Sequence, residues 1–215
     1  YPYAPPAGKP KLRDLWKQKI INDNPSTNQK EFSTPIVTSA LTHGLSIIAD
    51  LFVNPGDVIV SPDKLWGNYR LTFSARRGGV FQTFPLFNET NQFNLDGFKE
   101  IIQKQAANNE KIIVLLNFPN NPTGYTPQEE DFNQIALILN EQAAQGTKIL
   151  TICDDAYFGL FYENSAKESI FGKLCNLHEN ILIEVSPKFS SMGAFSPDPD
   201  YKYQWDLLAI IYSGT

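Results

Sequence analysis

At 215 residues the chain is long enough for one large domain with a full core and short for two. Hydrophobic residues make up 42% and charged residues 19%, an ordinary globular balance, and no apolar run reaches the roughly eighteen residues that a membrane helix needs. The net charge of -5, from 18 basic and 23 acidic residues with no polybasic run, excludes the electrostatic footprint of a nucleic-acid binder and points to a small-molecule partner.

Residues 1–10 are extended and proline-rich and lack the sections of a signal peptide, so the default address is the cytoplasm. An arm over 1–11 leads into a helix over 12–21, with Leu12, Leu15, Trp16 and Ile20 at helical spacing. Pro35-Ile36-Val37-Thr38 reads as a short strand, and residues 41–52 as an amphipathic helix stopped by Asn54-Pro55-Gly56-Asp57. Val58 to Val60 is the next strand, followed by a polar turn at Ser61-Pro62-Asp63 and a helix from Trp66. A strand over 80–86, a helix over 95–107 and a buried strand over 111–117 continue the alternation. The last elements read are a helix over 129–144, stopped at Gly146, and a strand over 149–153. Short β-rich runs separated by helices predict an α/β fold, a mainly parallel sheet covered by helices on both faces, with ligands at the carboxyl ends of the strands.

The chemistry-bearing residues stand where that architecture expects them. Asn117-Phe118-Pro119-Asn120-Asn121-Pro122-Thr123-Gly124-Tyr125 follows a buried strand, with two prolines fixing φ and Gly124 permitting a turn. By composition it is also an ordinary Asn-Pro-Gly loop. Cys153-Asp154-Asp155-Ala156-Tyr157 ends the next strand, and its acidic pair suits a ligand, a Mg²⁺ ion or a helix cap. Trp66 can stack on a flat cationic ring or belong to the core. Thr38-Ser39-Ala40-Leu41-Thr42-His43-Gly44 occupies a strand-to-helix turn, where free N–H groups favour phosphate or a capped start. Cys153 and Cys175 read as reduced core residues, and the two histidines, His43 and His178, give little support to a metal cluster or a triad.

In order and spacing these segments resemble the fold-type-I pyridoxal-phosphate (PLP) dependent aminotransferases, the aspartate aminotransferase-like class I and II group. The resemblance implies the large domain of that fold over 12–185, PLP as cofactor, and amino-acid and 2-oxo-acid substrates. Asn121, in Asn-Pro-Thr-Gly, would donate to the cofactor's phenolic oxygen, and Tyr157 would reach the same atom. Asp154 would hold the ring nitrogen protonated, with Asp155 as its rival, and Trp66 would stack on the ring. Ala40 and Leu41 would offer backbone N–H groups to the phosphate, and Thr42 a hydroxyl as well. Tyr3, in Tyr3-Ala4-Pro5, would reach the phosphate of a neighbouring subunit, which implies a homodimer; read alone, this stretch is a proline-rich arm.

Past residue 185 the pattern weakens, and Pro, Ser, Asp and Tyr replace the earlier composition. Lys188, 188 − 157 = 31 positions after Tyr157, is the candidate Schiff-base lysine, and Lys202 is the alternative. The arginine that the family carries after this lysine has no counterpart, since arginines stand only at 13, 70, 76 and 77. Residues 186–215 are accordingly expected to be an atypical C-terminal segment with the small domain absent. A gene fragment, a divergent end and a shortened non-catalytic remnant are the open explanations. A C–S lyase on the same fold is the rival activity, because fold analogy does not separate the two.

Overall fold

The computed structural model describes residues 5–28, 30, 32–161 and 165–174, with the backbone of 181–185. Five parallel strands form one sheet: β1 (Val58–Pro62), β2 (Val80–Phe84), β3 (Lys111–Asn117), β4 (Lys148–Asp154) and β5 (Ile181–Val185), in the order β2-β1-β3-β4-β5. The helices are α1 (Pro10–Asp23), α2 (Leu41–Phe52), α3 (Leu95–Ala106), α4 (Glu129–Ala144) and the short α5 (Ile170–Leu174). Among the described residues no helix is long and apolar enough to cross a membrane.

Strand periodicity divides the core into two layers. Ile112, Val114, Leu116, Ile149 and Cys153 face one way, onto α1, α3, α4 and α5. Ile113, Leu115, Leu150 and Ile152 face the other way, onto Leu45, Ile48 and Ala49 of α2 and onto Tyr69 and Phe73. Runs such as Ile112 to Leu116 are buried throughout because both faces are covered, as a parallel sheet requires. This is the expected three-layer α/β architecture.

Several local expectations are corrected. The stretch 35–38 is not a strand: its backbone is met from outside the sheet, by Val37 N–H donating to Ala7 O at 3.1 Å and Arg13 Nε donating to Pro35 O at 2.5 Å. Ser61 and Pro62 continue β1 instead of forming a turn, paired in register with Thr83 and Phe84. β2 stops at Phe84, and the Leu86 N–H donates instead to the Asp63 carboxylate at 2.9 Å. The segment after Trp66 turns helical only at Asn68 and winds as a π-helix over Arg70–Ala75. The first helix begins at Pro10, where proline suits a helical start.

Candidate active site

Strand order reverses between β1 and β3, since the chain steps from β1 outward to β2 and then returns to the far side of β1. In open α/β sheets the carboxyl ends at such a switch point form the ligand crevice. Trp66 follows β1, Asn121 follows β3, and Asp154 ends β4 with Tyr157 just beyond it.

The parallel register pairs Asn117, the last residue of β3, with Asp154. Asn117 is buried and works in two directions: its amide donates to the Asp154 backbone carbonyl at 2.8 Å, and its side-chain oxygen accepts the Asn121 N–H at 2.7 Å. Asn120 braces the loop from the other side, donating to Lys64 O at 2.9 Å and accepting from the Thr123 hydroxyl at 2.7 Å. Gly124, at φ 73, lets the chain turn back so that Asn120 N–H meets Tyr125 O at 2.8 Å. Held in this way, the Asn121 amide lies 3.3 Å from the Tyr157 hydroxyl, to which it donates, although 121 and 157 are 36 positions apart.

Asp154 is 1% exposed. One carboxylate oxygen accepts the Ala156 N–H at 3.0 Å, and the other accepts the Tyr69 hydroxyl. Burial pushes its pKa up from 3.8 to about 6, against the lowering effect of those two hydrogen bonds. Tyr69, also 1% exposed, is pushed well above 10 by burial first and by the Asp154 charge second, so it acts as a donor. Its ring meets Trp66 edge-on, with centroids 5.5 Å apart at 90°. Asp155, the next residue, is buried as well.

The α2 start is built differently. Ala40 is the extended residue before the helix, and among the described residues no side chain caps it. Thr38 donates its hydroxyl to Ala40 O at 2.9 Å, while Ser39 and His43 meet each other at 2.9 Å. Thr42 is exposed and Leu41 partly buried against the layer that holds Tyr69 and Trp66. The first-turn N–H groups of this helix form its electropositive end.

Trp66, Asn121, Asp154 and Tyr157 are thus linked through Tyr69 and Asn117, and Leu41 packs against the same apolar layer as Trp66. Tyr3, Lys188 and Lys202 lie outside the described residues. Sequence reasoning missed Tyr69 and Asn117. Tyr69 carried a signal, since it stands three positions after Trp66 at helical spacing, and Asn117 was the one polar residue closing an apolar strand.

Fold and site together define an α/β domain that gathers an aromatic ring, an amide, a phenol and a buried carboxylate at the carboxyl ends of its strands, at the switch point. The family model for aminotransferase class I and II matches residues 2–190, and the chain belongs to that family. It is 29% identical over 158 residues to the "Probable aspartate/prephenate aminotransferase" of Aquifex aeolicus, covering 72% of this chain and 36% of that protein. It is 30% identical over 171 residues to the aspartate aminotransferase of Bacillus sp. YM-2, covering 78% and 40%. An aminotransferase structure from Anaerococcus prevotii superposes with a TM-score of 0.80 at 25% identity, over all of this chain and 50% of the other. The Thermus thermophilus aspartate aminotransferase tetra mutant 1 gives 0.70 at 22%, over 99% and 51%. The chain therefore spans about two-fifths or less of these two curated relatives and half of these solved structures.

Proposed function

We propose that the chain is the cofactor-binding part of a PLP-dependent aminotransferase that moves an amino group between an amino acid and a 2-oxo acid. The observation that carries this reading is the convergence of Asn121 and Tyr157 at 3.3 Å beside the buried Asp154 carboxylate. The residues fit the cofactor. Two polar tips meet where one phenolic oxygen needs donors, and a carboxylate held near pH 6 by burial is one that a cationic ring nitrogen would relieve.

When bound, PLP supplies a carbonyl that takes up the amino group and a ring that accepts the electron pair of the substrate carbon. Asp154 holds the proton on the ring nitrogen. Asn121 and Tyr157 donate to the phenolic oxygen, and Trp66 presents its indole to the ring. The N–H groups of Ala40 and Leu41, with the Thr42 hydroxyl, hold the phosphate at the positive end of α2. Lys188, with Lys202 as alternative, moves the proton at the substrate α-carbon once neutral. Tyr3 completes the phosphate site of a second subunit, which makes the working form a homodimer; its address is the cytoplasm.

The test is absorbance of the purified chain with added PLP, before and after borohydride, followed by peptide mapping. A reducible adduct at Lys188 is expected; one at Lys202 transfers the role, and an adduct at neither overturns the catalytic reading. Keto acid formed only with both an amino acid and a 2-oxo acid supports transamination, whereas ammonia and pyruvate from one amino acid alone would identify a C–S lyase.

A further inference from the structure

Two features of the proposed ring site are made by one residue that no motif assigned. Tyr69 donates its hydroxyl to Asp154 and sets its ring edge against Trp66 at 5.5 Å. It is locked from behind by Phe73, at 6.4 Å between centroids, and by the apolar layer of Leu45, Ile48, Ile113 and Ile152. The segment that carries it passes into the π-helix at Arg70–Ala75, a winding that recurs at functional sites because it re-aims side chains within a turn. The phenol therefore cannot withdraw without repacking the α2 layer.

We propose that Tyr69 is the positioning residue of the ring site, fixing the Asp154 carboxylate as an anion and seating Trp66 at the same time. The inference rests on the reading of Asp154 as the ring-nitrogen partner. Its physical basis is that a buried carboxylate is stabilised as an anion only by the donors aimed at it, here the Tyr69 hydroxyl and the Ala156 N–H. Among the described residues, the titratable groups next to the pair are Asp155, adjacent in the chain, and Tyr157, whose charge acts on Tyr69. Among the described residues, α2, β3 and β4 contribute apolar side chains to the layer around Tyr69.

The experiment is the dissociation constant of PLP as a function of pH for the wild-type chain, Tyr69→Phe and Asp154→Asn. Asp154→Asn removes this carboxyl while leaving the cofactor's own titrations, so it is the reference profile. Wild type should gain affinity, relative to that reference, as pH rises through about 6. Tyr69→Phe should move that rise upward by about one pH unit, a loss of about fivefold at pH 6 that approaches tenfold at lower pH and closes again at higher pH. A uniform loss at every pH would mean a structural role only and overturns the proposal. Wild type matching Asp154→Asn overturns the Asp154 assignment and this inference with it, whereas Tyr69→Phe matching wild type overturns the inference alone. Should Tyr69→Phe not fold, site-specific replacement of Tyr69 alone by 3-fluorotyrosine strengthens the donor at nearly constant shape. The rise must then shift downward, and an unmoved rise refutes the role.

Discussion

The two ends of the proposed site are built by opposite means. At the ring end Tyr69, Asp154 and Asn117 are buried, bonded to one another, and wedged between sheet and α2. At the phosphate end Thr42 is exposed and the entering backbone is held from outside, by Arg13 donating to Pro35 O at 2.5 Å and Thr34 O at 3.3 Å. The difference follows from what each end has to do. A carboxylate tuned by burial must be kept from water, whereas backbone N–H groups at a helix start lose nothing by facing solvent until an anion arrives. One end is therefore coupled to the stability of the whole domain and the other is nearly independent of it.

The contrast breaks most readily at Phe73, wholly buried behind Tyr69. Phe73→Ala should cost about 3–5 kcal/mol of stability in urea unfolding. A loss of under ~1 kcal/mol would mean that the ring end is not coupled to the core.

Asp154→Asn should act in the opposite direction. Because the folded pKa lies near 6 against 3.8, the native state holds its proton more tightly than the unfolded chain. The stability contributed is full below 3.8 and is lost as pH rises through 6. Removing the charge should thus make the cofactor-free chain more stable at pH 7 by up to about 3 kcal/mol, a gain that shrinks as pH falls from 6 toward 3.8. Urea midpoints at several pH values measure it, and a pH-independent difference would remove burial as the cause.

Asn117→Ala leaves the Asn121 N–H and the Asp154 carbonyl without their partner and should cost about 1–3 kcal/mol. It should also weaken PLP binding by freeing Asn121, which titration by absorbance would reveal. Thr42→Ala, at the exposed end, should change stability by less than ~0.5 kcal/mol. Its effect should appear instead as a reduced preference for PLP over pyridoxal, which lacks the phosphate. A stability loss comparable to that of Asn117→Ala would erase the distinction between the ends.

Much of this was legible before any coordinates. The bounds of α2, β3 and α4 follow from apolar period and from stop signals such as Asn54-Pro55-Gly56, which act within a few residues. The places of Asn121, Asp154 and Trp66 at or just past strand ends were legible as well, because the strand before each is readable. The stretch 35–38 misled because β-branched composition alone cannot tell a sheet partner from a strip bound by an arm and an arginine. Pro62 misled in the other direction: a proline near a strand end is compatible with the ladder at that position.

The sequence by itself determined the α/β alternation, the two-faced burial of the strands and the family, since these rest on periodicity and on residues close together in the chain. Only the tertiary structure decided that Tyr69 meets Asp154 across 85 positions and that Asn117 links Asp154 to Asn121. Those contacts depend on strand register and on the depth at which a side chain is buried. Register and burial are properties of the packed sheet, set by many residues at once, and no short stretch of sequence carries them.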